Sequence, residues 1–375
     1  MDFDYAAPRW LPGGNLQTIW AALQARRTFG PSPRFRRERW DTPDGDFVHV
    51  DWLDTVRPER ASVRAELSPV RAEPVEALRQ AQGERGRQAQ GERRGPQQVL
   101  LVLFHGLEGS SRSHYAEAFA DFAAANGMDY AVPHFRGCGG ELNHAPRAYH
   151  SGDHEEIGWI LRRLRARHAG PLLAVGVSLG GNALMRWAAE AGDGAARTAD
   201  AIASVCSPLD LAAGAVAIGR GFNRLVYTTM FLRSMKPKAL AKLAQHPGLF
   251  DRATLLAARD LFAFDDVFTA PLHGFRDAHD YYARASAKPH LHRIRIPALV
   301  LNARNDPFIP AASLPRPGEV GPHVTLWQPA QGGHVGFPAG RWPAHVRAMP
   351  EAVGRWLLQY TALQHTSPQH TVTNG

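Results

Sequence analysis

Residues 171–182, PLLAVGVSLGGN, constrain the fold of this chain more than any other stretch. An apolar run, 172–177, leads straight into Gly176-Val177-Ser178-Leu179-Gly180, and residues 183–189 then continue with helical spacing. The pattern predicts a strand, a tight turn centred on Ser178, and a helix. Backbone strain is high at such a turn, so the positions two before and two after the serine must carry no side chain that would collide with strand or helix. The first turn of the following helix offers backbone N–H groups without intrahelical partners, a good place for negative charge. Ser178 is therefore a candidate nucleophile. The alternative, a glycine-rich turn with a solvated serine, is not eliminated by five positions of which three are fixed.

The surrounding chain supplies the rest of a sheet. Residues 99–104 form a fully apolar strand, as expected where a parallel strand is buried on both faces. A helix is predicted over 113–126, a strand over 128–134, a helix over 153–168 and a strand over 201–206. Strand rhythm stops between 209 and 290, where the pattern is helical, and resumes at 296–302 and 323–327 before a last amphipathic helix over 343–360. Strands alternating with helices imply a doubly wound, mostly parallel α/β sheet. The helical stretch 209–290 reads as an inserted lid over the carboxyl ends of the strands, where ligands of open α/β sheets bind.

Ahead of the sheet, Leu16, Ile19, Trp20 and Leu23 recur at helical spacing, which predicts a short amphipathic helix packed on the domain. Residues 36–40 and 47–52 read as a hairpin around Pro43-Asp44-Gly45-Asp46. Residues 1–54 thus form the amino-terminal part of the domain. Core segments follow at 99–208, with the nucleophile, and at 291–360. Residues 55–98 differ from both: Arg79-Gln80-Ala81-Gln82-Gly83-Glu84-Arg85 recurs as Arg87-Gln88-Ala89-Gln90-Gly91-Glu92-Arg93, and the stretch is too polar to offset its ordering entropy. It is expected to be a flexible insertion, and 361–375 a disordered tail.

Formal net charge is +8, which brings nucleic acid and anionic membrane surfaces into consideration. Residues 55–98 hold nine arginines against six glutamates, so much of the excess is local, and no aromatic residues interleave with them as a base-stacking surface requires. Nucleic-acid binding is not expected; peripheral contact with a membrane stays open. Two distant cysteines, Cys138 and Cys206, make no disulfide framework. No signal-peptide core and no apolar run near the length of a bilayer span occurs, so a cytoplasmic location is expected. His150 and His154 lie four apart, but no third ligand has convincing spacing, so they read as solvated histidines at a helix start and no metal is expected. Arg136-Gly137-Cys138-Gly139 reads as a tight turn after a strand. Cys138 lacks the basic neighbours that would make it a better nucleophile than Ser178.

A serine hydroxyl needs a base within reach, itself oriented by a carboxylate, and on a strand–turn–helix of this kind the partners follow in the order serine, acid, histidine. Strand 296–302 ends in Asn305-Asp306-Pro307, placing Asp306 at a carboxyl end. Strand 323–327 leads into Gly332-Gly333-His334-Val335-Gly336, which selects His334 by order and spacing among eighteen histidines. Leu179, directly after the serine, would give one backbone N–H to an oxyanion. The second comes from the loop after strand 99–104, where Leu107 is the first choice and Glu108 or Gly109 the alternatives.

At these residues the chain resembles one branch of the α/β-hydrolase family, the YheT-type hydrolases and their eukaryotic lipid-acting relatives. The resemblance runs through Asn15-Leu16-Gln17-Thr18, His105-Gly106-Leu107-Glu108-Gly109, Phe135-Arg136-Gly137-Cys138 and Gly176-Val177-Ser178-Leu179-Gly180-Gly181-Asn182. It continues in Asp280-Tyr281-Tyr282, Asn305-Asp306-Pro307-Phe308 and Gly332-Gly333-His334-Val335-Gly336-Phe337. It implies Ser178 as nucleophile, Asp306 as acid and His334 as base, acting without a cofactor on short-chain esters or acyl lipids. The chain departs from the pattern at Asn305, where the family has a second aspartate, and in 55–98. Apolar clustering nominates Phe222, Leu225, Phe231 and Leu232 for the acyl pocket. A thioesterase or acyltransferase would use the same three residues, and a non-catalytic lipid- or partner-binding protein would need neither Ser178 nor His334. Oligomeric state is not legible.

Overall fold

The structure, a computed structural model, describes residues 3–54 and 98–361. The repeat-bearing stretch 55–98, apart from Gln98, and the tail beyond Thr361 lie outside the described residues. Eight strands form one sheet in the order β1-β2-β4-β3-β5-β6-β7-β8. β1 (Phe35–Asp41) and β2 (Phe47–Leu53) are an antiparallel hairpin whose second strand pairs antiparallel with β4 (Asp129–His134). From β4 onward, β3 (Leu100–Phe104), β5 (Leu172–Val177), β6 (Ala201–Val205), β7 (Ala298–Leu301) and β8 (Val324–Trp327) are all parallel. β3, β5, β6 and β7 are apolar and buried along their whole lengths, because both faces of the parallel part are covered.

The helices divide between the two faces. α1 (Gly13–Leu23) precedes the sheet, and α2 (His114–Ala125) crosses between β3 and β4. α3 (His154–Arg167) and α4 (Leu179–Ala191) flank β5. Ile157, Leu161, Met185 and Trp187 of α3 and α4 pack against one face of the sheet, while Phe119 of α2 and Val353 and Trp356 of the last helix pack against the other. Between β6 and β7 the described chain has no strand. It contains α5 (Leu211–Ile218), a π-helical turn (Arg224–Thr228) running into α6 (Thr229–Gln245), α7 (Arg252–Ala257), a second π turn (Asp265–Thr269) and α8 (Ala278–Ala285). The final helix, α9, spans Ala348–Leu358.

Two elements differ from the sequence reading. α9 starts five residues later than the periodicity predicts, because the backbone of residues 344–346 is committed elsewhere. Arg26 N–H donates to Ala344 O at 3.0 Å, Val346 N–H donates to Arg26 O at 3.1 Å, and His345 bridges Ala339. α1 forms and packs on the domain, with Ile19 and Trp20 of the predicted face half-buried against core clusters, but its fully buried side lies elsewhere. Gln17, Thr18 and Ala21 are its buried residues, while Leu16 and Leu23 are 48% and 71% exposed.

Candidate active site

β3 and β5 pair in register to their ends, with Phe104 opposite Gly176, so the loop after β3 and the turn after β5 emerge side by side. At that turn Ser178 has φ +53° and ψ −119°, a conformation an L-residue adopts only under strain, and its N–H is held by Val205 O at 2.8 Å. The flanking glycines are obligatory. A Cβ on Gly176 would lie 2.5 Å from Gly180 O, and one on Gly180 would lie 2.5 Å from both Phe104 O and His105 O.

The structure brings the three distant side chains together. Ser178 Oγ lies 3.1 Å from His334 Nε2, and His334 Nδ1 lies 2.9 Å from Asp306 Oδ2. The other oxygen of Asp306 accepts from Phe308 N–H at 2.8 Å, and the Asp306 side chain is wholly buried. A carboxylate facing Nδ1 makes that nitrogen the donor, which leaves the Nε2 lone pair toward the serine hydroxyl. Phe308 covers the imidazole at 4.1 Å between ring centroids.

The amides beside Ser178 sort themselves by their partners. Gly106 N–H donates to Tyr115 Oη at 2.9 Å, Glu108 N–H to Tyr149 Oη at 2.9 Å and Gly109 N–H to Gly106 O at 2.9 Å. Leu107 N–H has no acceptor among the described residues. Leu179 is the first residue of α4, so its N–H has no intrahelical partner either. Leu107, Leu179, Ser178 and His334 line one cavity. His105, which shapes this loop, is neutral: burial pushes its imidazole down to about 3, so Nδ1 donates to Gly106 O at 2.8 Å and Nε2 accepts from Phe135 N–H at 3.1 Å.

Sequence reasoning assigned no role to Gln17 and Thr18, and treated Asn305 only as a departure. These three hold the histidine loop. Thr18 Oγ1 accepts from His334 N–H at 2.8 Å. Gln17 Oε1 accepts from Gly332 N–H and from Asn305 Nδ2, each at 2.9 Å, while Asn305 Oδ1 accepts from Gly333 N–H at 3.0 Å. The available signal was a Gln-Thr pair inside a mostly apolar helix. His114 adds a further tie, its Nε2 lying 3.0 Å from Val335 O.

The serine stands between two spaces. One is a cavity of about 120 Å³ beneath the helical segment, which Phe231, Tyr281 and Tyr282 help to line. The other is an open groove of about 610 Å³ between α1 and α6, lined by Ile19, Leu23 and Met230. Of the four residues nominated for the acyl pocket, only Phe231 reaches the smaller cavity. Phe222 and Leu225 are 50% and 75% exposed, and Leu232 packs into the helical segment's own core with Leu255 and Phe268.

Three further expectations are corrected. His150 is not a solvated histidine: its ring lies 4.6 Å from that of His273 and is packed by Phe275 and Tyr281, and burial drives it down to about 3. Cys138 does have a basic neighbour, with Lys238 Nζ 3.9 Å from its sulfur, but burial still pushes the thiol up to about 12. Arg136 does more than shape a turn. It joins Asp44 and Asp46 of the β1–β2 connection to Glu156 of α3. Among the described residues no cluster of three or more potential metal ligands occurs, and no helix is long and apolar enough to cross a membrane.

Comparison with known proteins agrees with this architecture. Residues 99–340 match the family described as alpha/beta hydrolase fold. A putative esterase of Escherichia coli strain K12, YheT, is 37% identical over 86% of this chain and 84% of its own. Phospholipase ABHD3 of Mus musculus is 28% identical over 84% of this chain and 69% of its own. Medium-chain fatty acid ethyl ester synthase/esterase 2 of Saccharomyces cerevisiae is 28% identical over 64% of this chain and 58% of its own. With the family matched over most of the chain and a relative above 30% identity along nearly all of it, this chain belongs to the α/β hydrolase family, on the branch of the YheT-type enzymes.

Proposed function

We propose that this enzyme cleaves carboxylic esters through an acyl-enzyme on Ser178. The observation that carries the reading is the continuous row Ser178 Oγ, His334, Asp306, with separations of 3.1 and 2.9 Å. Ser178 Oγ attacks the ester carbonyl while His334 Nε2 takes its proton; Asp306 keeps the imidazole in the required tautomer and stabilises the imidazolium. The amides of Leu107 and Leu179 receive the developing oxyanion. His334 then protonates the departing alcohol, and water attacks the acyl-enzyme with His334 again as base. The helical segment 209–290 acts as the lid over the site. The wider groove lets alcohol leave and water enter, and the smaller cavity beneath the helical segment holds the acyl part. The small volume of that cavity, about 120 Å³, favours short acyl chains.

A fluorophosphonate probe should label the wild-type protein and not Ser178→Ala, and an ester panel should show turnover that falls beyond short chains. Unlabelled wild-type protein would overturn the reading. Transfer of the acyl group to an alcohol is a second reading, supported by a relative named for both synthesis and hydrolysis. Product analysis in the presence of added ethanol separates the two.

A further inference from the structure

The smaller cavity beside Ser178 is not uniformly apolar. Asp265 lines it, and also lines a third space of about 60 Å³ that shares Leu107, Leu179 and Tyr281 with the first. The carboxyl is held by two hydroxyls: Tyr282 Oη donates to Oδ2 at 2.7 Å and Thr269 Oγ1 donates to Oδ1 at 2.6 Å. Tyr281, Tyr282 and Thr269 are themselves buried. Among the described residues Asp265 makes no ion pair. Arg136, Lys238 and Lys242 line the third space, but each is engaged by other partners. A carboxylate beside the mainly apolar wall of the first cavity is costly without a paired cation, and two hydroxyl donors leave lone pairs unfilled on both oxygens. Asp265 also opens one of the two π-helical turns, a rare backbone form that recurs at functional sites. Neither the elbow, nor the histidine loop, nor the sheet needs an acid at this place.

We propose that Asp265 is a specificity residue, and that the acyl group this enzyme accepts carries a hydrogen-bond donor, a hydroxyl or an ammonium, which the Asp265 carboxylate receives. This rests on ester cleavage at Ser178. A plain hydrocarbon chain of the same length would strip water from the carboxylate and return nothing for it. A hydroxylated or aminated chain replaces that water with a direct bond, and discrimination built on such a bond is much larger than that from one methylene. Tyr282 and Thr269 then act as positioning residues that hold the acceptor still.

The test compares kcat/KM for p-nitrophenyl butanoate and hexanoate with their β-hydroxybutanoate and ω-hydroxyhexanoate counterparts. The wild-type enzyme should favour the hydroxylated member of at least one pair by about tenfold, mainly through KM, and Asp265→Leu should abolish or invert that ratio. Because leucine strands two buried hydroxyls, Asp265→Asn is measured beside it through competitive inhibition by hexylamine against hexanol. The wild-type enzyme should bind the amine about tenfold more tightly, and the asparagine variant should bind both alike. No preference in the wild-type enzyme, or a preference unchanged by the substitutions, overturns the assignment while leaving ester cleavage intact. Failure of Ser178 to react with a fluorophosphonate would remove ester cleavage at this site, and the assignment with it.

Discussion

At the scale of single residues, strain and hydrogen-bond order decide the site. Ser178→Ala removes the proposed nucleophile and leaves the turn in place, so kcat should fall by at least roughly 10⁴-fold while the unfolding temperature stays within a few degrees. A variant that retained kcat, or lost its fold, would contradict the role. Thr18→Val is subtler. It deletes the acceptor of His334 N–H without touching the row itself, leaving a buried donor unpaired at a cost of about 1–3 kcal/mol. Its expected signature is a fall in kcat of about tenfold with KM little changed, measured by steady-state kinetics. The sequence was informative here to the extent that chain order carries chemistry. Ser178, Asp306 and His334 stand out because each follows a strand in the right succession, and Gly176 and Gly180 because only glycine fits. Gln17, Thr18 and Asn305 were not legible as struts, because their partners are backbone amides more than 280 residues away in sequence or across a loop. A hydrogen bond of that kind leaves no periodic trace.

Among the elements, the β1–β2 hairpin and α3 are joined through one guanidinium. Arg136 is 5% exposed and reaches Asp46 at 2.7 Å and Asp44 at 2.9 Å while its Nε engages Glu156. Burial pushes the Asp46 carboxyl up, but bonds from Asn143, His144 N–H and Arg136 outweigh it and hold the group at about 2. The folded value lies below the unfolded one, about 3.9. The associated stability is therefore complete above about pH 4 and drains away as pH falls toward 2. Urea midpoints measured from about pH 5 down to about pH 2 should decline less steeply for Asp46→Asn than for the wild type, from a lower starting value. Equal slopes would show that Asp46 does not carry this share. The sequence predicted the strands and most helix limits, since apolar runs and helical spacing are local. It placed α1 on the domain, with Ile19 and Trp20 packed against core clusters, but missed its most buried side, because helical spacing alone does not say which polar residues find partners inside. Polar Gln17 and Thr18 go in because they have loop amides to satisfy, and Leu16 and Leu23 are left on the rim.

For the molecule as a whole, the helical segment is tied to the core by polar contacts around the site. Asn182 of α4 donates to Ser151 O and Ala285 O and accepts from Ala287 N–H, Tyr227 Oη donates to Asn15 at 2.9 Å, and the buried Lys242 donates to Ala145 O at 2.9 Å. Sequence rhythm located this segment but not its inward side. Apolar clustering does not say which side of a helix turns inward: Phe231 lines the cavity, its neighbour Leu232 packs into the segment's own core, and Phe222 and Leu225 face outward. A further tie is Lys238 of α6, whose Nζ lies 2.9 Å from Glu108 Oε2 in the loop that carries Leu107. Lys238 is 38% exposed along its side chain, so the pair is worth at most about 1 kcal/mol. That is small for folding, but for a segment acting as the proposed lid it would change the closed fraction several-fold. Lys238→Met should therefore raise KM by about two- to fivefold at low salt and speed amide exchange across Thr229–Gln245, with global stability nearly unchanged. Because the pair is partly exposed, about 0.5 M salt screens it, and the wild-type KM should rise toward that of the variant as salt is added. If the variant kept the full salt dependence of the wild type, the electrostatic hold on the segment would have to reside in another contact.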